Sequence, residues 1–481
     1  MKKVYIYALA YALTAVSCQD NEWGADSATP QAPEIEIPMG AADGELLIKF
    51  VPEMSDILDQ TLTRVGGVAT RSGIPSTDEV LNILGAYHFE RVFPVDPKTE
   101  KRTREAGMHL WYIVRFDKDA DLKEAVRQLR KLGEISKIQS NPTLQRAYDP
   151  KKKTLYLSAS DLQHVTRTSE GLTFNDPGLK HQWHYRNAGN YDFVKKDRAE
   201  AIAGADVNCG EAWELCKGDP SIIVAVLDEG VMWSHPDLIA NMWTNEAEEI
   251  GSTEDKDGNG YKGDRYGYNF VKNTGVISWT SADDTGHGTH VAGTIAAENG
   301  NSIGVSGIAG GDGNTGSGVK IMTCQLFDGQ YGATLAAEAK AIKYAADNGA
   351  VVLQCSWGYN SPDANEALGY VPGPKNEQDW ENQYPLEKEA LDYFIHNAGS
   401  PNGVIDGGLA IFASGNEYAP SSSFPAGYSK CISVSAIAAD YTPSSYTNYG
   451  AEITLCAPGG DGDYYGTPGV ADDEFAWEGK T

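Results

Sequence analysis

Hydrophobic and polar residues are arranged in two different rhythms along this chain. Between about Glu45 and Arg146, Leu46 to Val51 and Trp111 to Phe116 alternate in the two-residue period of half-buried strands. Leu122, Val126 and Leu129 instead recur at helical spacing, so the segment 122–132 reads as a helix with one apolar face, and Ile135 to Ile138 as a returning strand. Strands and helices alternating over a segment of this size predict a small α+β sandwich. From about Asp176 the rhythm changes. Ile222 to Leu227, Val319 to Leu326, Val351 to Cys355, Leu409 to Ala413 and Cys431 to Ala436 are continuous apolar runs, with a helical stretch from Leu335 to Asp347 between two of them. Such runs predict an α/β fold, a doubly wound parallel sheet buried on both faces. Sites in such sheets form beyond the carboxyl ends of the strands, so the chemistry is expected just after the runs.

The flanks complete the organisation. Val4 to Val16 is a mostly apolar run behind Lys2-Lys3. It is shorter than the ~20 residues of a membrane-spanning helix and reads as an export signal. Asn21 to Gly44 is rich in Pro, Ala and acids, as a tether is, and Asp149 to Asn175 has the mixed polar composition of a linker. The expected order is a signal over 1–18, a tether over 19–44, an α+β domain over 45–147, a linker over 148–175 and the α/β domain over 176–481.

Composition adds charge to this picture. The 39 Lys and Arg against 67 Asp and Glu give a net charge of −28, which argues against nucleic acid as a partner because the bulk field repels its phosphates. Only Lys98 to Lys153 is locally basic, through Lys101, Arg102, Arg104, Arg127, Arg130, Lys131 and Lys151-Lys152-Lys153. Opposite charge on two parts of one chain favours their docking, although a basic helix face is also an ordinary solvated surface. Apart from Cys18, the cysteines are Cys209, Cys216, Cys324, Cys355, Cys431 and Cys456. In an exported chain they permit disulfides, with Cys209 and Cys216 the nearest pair, while those inside apolar runs equally suit small buried side chains.

The candidate chemistry follows the strands, as expected. Asp228-Glu229-Gly230 ends the first run and Ser234-His235-Pro236-Asp237 comes soon after. A carboxylate there can orient an imidazole, cap a helix or hold a cation. His287-Gly288-Thr289-His290-Val291-Ala292-Gly293 offers two His at i,i+3, a spacing that admits a metal, but the HExxH pattern with its Glu base is absent. Ala413-Ser414-Gly415-Asn416-Glu417 closes another apolar strand, and Ser356-Trp357-Gly358 closes a further one. Asp255-Lys256-Asp257-Gly258-Asn259-Gly260-Tyr261 followed by Asp264 places oxygen ligands at alternate positions around a Gly turn. That is the opening of an EF-hand-type calcium loop, with Tyr266 where the closing Glu belongs.

The His287 motif, with the Asp228 motif before it, resembles the subtilisin-like serine proteases (subtilases). That resemblance implies a subtilisin-like sheet and assigns roles. Asp228 orients and stabilises the histidine, His287 is general base and then acid, and Asn416 donates to the oxyanion. His290 is structural. Ser356, Trp357, Gly358, Ser414 and Gly415 are the segments along which a polypeptide substrate lies as an added strand. Glu229 stands where Ser or Thr is commoner. The resemblance also favours calcium at Asp255, Asp257, Asn259 and Asp264, and implies a second calcium site from Asp237, Asn301 and the carbonyls of Ile303 and Val305, with one extra residue before Asn301. The 45–147 domain is similar in position and pattern to a propeptide, an intramolecular chaperone and inhibitor. Ala15-Val16-Ser17-Cys18 resembles a bacterial lipobox, with Ala15 in place of the usual Leu. Asp20 and Glu22 resemble the surface-export signals of Bacteroidetes lipoproteins. Lipidation at Cys18 implies an outer-membrane or cell-surface lipoprotein, anchored or released; an ordinary signal peptide is the alternative.

One group the resemblance requires is not in its expected place. A subtilase serine follows the Asn, in a turn opening a buried helix. Here Ala457-Pro458-Gly459-Gly460 is the expected approach, and Gly479-Lys480-Thr481 is where that turn would begin. Ser414 precedes Asn416, and Ser421 to Ser423 come too early. The expectation is therefore a serine just past Thr481, with residues 1–481 inactive alone and poorly folded for want of that helix. The competing expectation is a non-catalytic surface lipoprotein, a pseudoprotease that binds peptides or inhibits a protease.

Overall fold

A computed structural model describes residues 41–65, 67–117, 120–146, 172–189 and 201–461. The export signal with Cys18, the tether up to residue 40, residues 147–171 and residues 462–481 lie outside the described residues.

The N-terminal unit is an antiparallel sheet of β1 (Ala41–Phe50), β2 (Val68–Ala69), β3 (Tyr87–Arg91), β4 (Trp111–Phe116) and β5 (Ile135–Pro142), in the order β2-β3-β4-β1-β5. Helices α1 (Ser55–Val65), α2 (Pro75–Leu81), α3 (Glu100–Glu105) and α4 (Leu122–Leu129) connect the strands. The expected helix at 122–132 is α4, started by Asp121, whose side chain accepts from the Glu124 N–H at 3.0 Å. Its Val126 and Leu129 are buried. Strand β1 begins inside the stretch assigned to the tether, because Ala41 finds Pro142 of β5 as a partner. Phe89 stacks on Tyr112 with Phe50 edge-on to both, giving this unit an aromatic centre.

The larger unit is the expected α/β fold. Its strands are β6 (Ile223–Glu229), β7 (Gly267–Asn269), β8 (Lys320–Asp328), β10 (Ala350–Cys355), β11 (Leu409–Ala413), β12 (Ile432–Ile437) and β13 (Leu455–Pro458). They form one parallel sheet in the order β13-β12-β11-β10-β6-β8-β7, with β9 (Tyr331–Gly332) antiparallel on β8. Every residue of β6 is buried, which is why its sequence shows no polar alternation. Helix α5 (Cys209–Leu215) precedes the sheet and α6 (His287–Ala296) packs on β6. Helix α7 (Leu335–Asp347) packs on β8 and β10, and α9 (Pro385–Asn397), preceded by α8 (Glu377–Gln383), packs on α7 and β11.

On β10 to β12 the two faces differ. Ala410 and Phe412 are buried, whereas Leu409 is 54% exposed, and Leu455 on β13 is 47% exposed. Ile411, Ile432 and Val434 are half-buried. An apolar face of the sheet is thus open among the described residues. No described helix is long and apolar enough to cross a membrane.

The two units share one core, in which Leu47, Trp111 and Ile113 pack with residues of the sheet and of α7 and α9. Around it the charges are complementary. Lys49 and Lys137 meet Glu389, Arg102 meets Asp347, Lys98 meets Asp257, and Arg146 meets Glu229 and Asp284. In each of these pairs the cation comes from the N-terminal unit. Of the basic residues picked out in the sequence, Arg102 docks in this way. Arg104 pairs with Asp59 and Arg127 with Glu124 inside their own unit.

The described cysteines are free thiols, so the Cys209–Cys216 pairing is corrected. Cys209 opens α5 and Cys216 caps its end. About two turns of helix rise roughly 10 Å, beyond the ~7 Å limit for a disulfide.

Candidate functional site

Parallel register brings the predicted site residues to one edge. Leu227 lies opposite Cys324 on one side and Cys355 on the other, and Cys355 opposite Phe412. The next residues, Asp228, Ser356 and Ala413-Ser414, therefore emerge side by side at the carboxyl ends of β6, β10 and β11.

Asp228 is 1% exposed, and both its oxygens lie on Nδ1 of His287, at 2.8 and 2.9 Å. Its Oδ1 also accepts from the Glu229 N–H at 2.6 Å. Burial pulls the pKa of His287 down, but the Asp228 carboxylate, reinforced by Glu229, more than offsets this and leaves it above the ordinary histidine value. Nδ1 is thus tied to the carboxylate, and the imidazole lines a cavity of about 610 Å³ that also receives Ser356, Trp357, Gly358, Ser414, Gly415 and Asn416. Such an arrangement can take and return a proton at a group held opposite Asn416.

Helix α6, which carries His287, is held by Glu229. That buried carboxylate accepts from the N–H groups of Thr285, Gly286 and His287 at 3.0–3.2 Å and from the Thr285 hydroxyl at 3.1 Å. An anion at a helix N-terminus satisfies free donors and complements the dipole. Gly288 allows the approach, because a Cβ there would stand 2.2 Å from the Glu229 carbonyl. Of the readings open for the Asp228-Glu229 pair, the structure divides two between its members: Asp228 orients the imidazole and Glu229 caps the helix.

The Asn416 loop has its own support in Asn448, fully buried and not anticipated from the sequence. Its Nδ2 donates to the Ser414 carbonyl at 3.0 Å and to Glu417, and its Oδ1 accepts from the N–H groups of Glu417 at 3.1 Å and Ala419 at 3.0 Å. Gly415 has φ 113° and packs against that amide, leaving no room for a side chain. Asn448 lies in a polar turn with no periodicity to flag it. Trp357 is 2% exposed and packs edge-on against Phe412, so it forms a wall of the cavity from within the core. Ser414 points to the Asn448 carbonyl, Ser421 to Asp363 and Ser422 to Ser433.

The loop expected to hold calcium is arranged differently from the sequence reading. Asp257 and Asp264 come together with Glu248, one oxygen of each lying within 4.8 Å of the others. Asp255 stays apart, its oxygens accepting from the N–H groups of Gly258 and Gly260 at 2.8 Å. Asn259 turns its Nδ2 to Asp264 at 3.0 Å and its oxygen to the Tyr261 N–H. Tyr266 stacks on Trp233. Glu248, upstream of the loop, supplies the third carboxylate. Burial raises the pKa of Asp264 to about 6. Three carboxylates are a hard oxygen donor set that fits calcium. At the second predicted site, Asp237 accepts from Asn301 Nδ2 at 2.7 Å and from the Val305 N–H at 2.9 Å, while Asn301 accepts from the Ile303 N–H. These four residues are brought together, with N–H donors on the Asp237 oxygens. Burial raises its pKa to about 6.

A model of the Subtilase family matches residues 219–477, more than half of the chain. Halolysin of Haloferax mediterranei is 33% identical over 257 residues, 53% of this chain and 38% of that protein. Thermitase of Thermoactinomyces vulgaris is 28% identical over 253 residues, 53% of this chain and 68% of that protein. An extracellular protease of Xanthomonas campestris is 27% identical over 355 residues, 72% of this chain and 49% of that protein. The first of these matches spans well under two thirds of its relative's length. The crystal structure of the Aeromonas sobria serine protease with its chaperone ORF2 aligns with a TM-score of 0.44 at 24% identity, over 64% of this chain and 46% of that one.

Proposed function

The chain belongs to the subtilase family, and on that premise we propose that it is the body of an exported serine endopeptidase. The observation that carries this reading is the Asp228–His287 pair, with both carboxylate oxygens within 2.9 Å of Nδ1 and the imidazole in one cavity with Asn416. In the proposed mechanism His287 removes the proton of a serine hydroxyl from outside the described residues. The alkoxide attacks the peptide carbonyl, and Asn416 stabilises the tetrahedral oxyanion. His287 then returns the proton to the leaving amine, and water repeats the sequence to release the acid. Asp228 holds the tautomer and the imidazolium. The polypeptide lies against Ser356 to Gly358 and Ser414-Gly415.

Three further parts belong to the proposal. The N-terminal unit acts as an intramolecular inhibitor, a reading supported by its shared core and its charge complementarity. Calcium, held by Glu248, Asp257 and Asp264, supplies charge compensation to a structural loop. Cys18 is lipidated and anchors the exported protein.

The test is a fluorophosphonate that labels activated serines, applied to the protein isolated from its natural source. Labelling of one serine, located by peptide mass and abolished by His287→Ala, is the expected result. An unlabelled protein that still binds peptides would overturn the enzyme reading in favour of a pseudoprotease.

A further inference from the structure

Two acids in the core have no cation. Glu338 of α7 and Glu387 of α9 are both 0% exposed, and their carboxyls are hydrogen-bonding neighbours. Trp380 Nε1 donates to Glu387 Oε2 at 2.6 Å, and the Tyr359 hydroxyl is a further hydrogen-bonding neighbour of Glu387. Both of these side chains lead to the segment Ser356 to Gly358. Tyr359 directly follows Gly358; its ring stacks on Tyr384 at 4.2 Å and its N–H donates to the Phe424 carbonyl at 2.7 Å. Trp380 stacks on the Phe424 ring at 5.7 Å. Gly358 is pressed to the same Phe424 carbonyl, 2.8 Å from where a Cβ would stand. Glu387 thus reaches the segment along two routes, through Tyr359 and through Trp380 with Phe424.

We propose that Glu338 and Glu387 are positioning residues of the peptidase: they share one proton, and the pair so formed braces the substrate segment Ser356 to Gly358 through Tyr359 and Trp380. This role rests on the peptidase reading above. Its physical basis is that two buried carboxyls in contact hold a proton between them or repel. With one proton shared, Glu338 donates, and Glu387 accepts from Glu338, Trp380 and Tyr359. Losing that proton puts two charges in the core and turns Glu338 into an acceptor without a donor. Tyr359 and Trp380 then follow the displaced carboxylate, and the segment they brace shifts with them. The surroundings supply no compensating charge. The lysines of the same helices turn elsewhere, Lys343 to Asp347 and Lys388 to Asp392, while Lys340 feels Glu90, Arg115 and Glu45 of the N-terminal unit. From that unit the neutral Gln139 reaches the Leu386 N–H at 3.1 Å. The titratable groups facing the pair are Tyr359, Tyr384, Cys355 of β10 and Cys431 before β12. Burial, with the acids adding, raises all four, so they stay neutral while the pair changes charge. A substrate backbone laid on this segment is held less well when it shifts, so the effect falls on KM rather than on the proton transfers of His287.

The experiment measures KM and kcat across pH in the full-length protein, with one blocked peptide that has no titratable group. Wild-type KM is expected to rise at least ~10-fold from about pH 8 to about pH 10, while kcat stays within ~2-fold. Glu338→Gln, whose amide hydrogen stands in for the shared proton at every pH, should flatten that rise. Glu387→Gln leaves Trp380 and Tyr359 a single neutral acceptor and should raise KM ~10-fold at about pH 8. Tyr359→Phe removes only a hydroxyl and should raise it ~5-fold, which keeps the test open should Glu387→Gln not fold. An unmoved KM in these two variants, a pH-dependent rise that survives Glu338→Gln, or a loss confined to kcat would overturn the proposal. A wild-type protein that binds the peptide without cutting it would refute the peptidase reading alone; the Kd from fluorescence anisotropy then replaces KM, with the same ratios expected. A protein that neither cuts nor binds the peptide would overturn both.

Discussion

Helices α7 and α9 bury two carboxyls against each other, and replacing one should stabilise the protein in a pH-dependent way. Glu338 and Glu387 are both 0% exposed. Trp380 Nε1 donates to Glu387 Oε2 at 2.6 Å, and the Glu387 carboxyl is the hydrogen-bonding neighbour of Glu338. Burial pushes Glu387 up to about 7 and Glu338 well above its ordinary value, the latter helped by Glu387. An acid whose folded pKa is raised costs nothing below its unfolded pKa, and its cost grows as pH rises towards the folded value. Each of the two acids therefore carries a cost near neutral pH that is absent near pH 4.5. Glu338→Gln keeps the shape, removes one titrating group and offers an amide to the Glu387 carboxylate. Part of the gain is offset by placing an amide in the core, so the variant should be ~2 kcal/mol more stable near pH 8 and within ~0.5 kcal/mol of wild type near pH 4.5. Thermal or urea unfolding of the full chain at the two pH values reads this directly. A stability difference that is the same at both, or a variant weaker near pH 8, would refute the reasoning.

Three other outcomes follow from the site. Asp228→Asn should lower the titration midpoint of His287 in an NMR experiment. The stability this pair contributes is fully present below the unfolded histidine pKa and is lost as pH rises through the raised folded value; an unmoved midpoint would show that Asp228 is not the cause. Asn448→Ala should cost ~3 kcal/mol or more in urea unfolding, because it strips partners from the Glu417 and Ala419 N–H groups and the Ser414 carbonyl; a loss below ~1 kcal/mol would mean the loop holds itself. Calcium at ~100 times its Kd should stabilise the chain by ~3 kcal/mol and do so much less in Asp264→Asn, whereas an equal gain in both would place the ion elsewhere.

Much of this was legible in the chain itself, for identifiable reasons. A strand buried on both faces must be apolar throughout, so β6 announces itself, and the small residues after His287 mark a helix pressed on a sheet. Asp228, His287 and Asn416 could be named because the motifs that carry them resemble those of the subtilases. What the pattern could not carry is contact between distant segments. Asn448 and Glu248 sit in polar stretches without periodicity, and their roles exist only because folding sets them beside the Asn416 loop and beside Asp257 and Asp264. Glu229 is one letter beside Asp228 in the chain. Only the tertiary structure made it both the cap of the histidine helix and the counter-charge of Arg146, a residue that the chain reaches from another unit. Local sequence determines which way a side chain leaves its strand or helix; what it meets there depends on the packing of segments hundreds of residues apart.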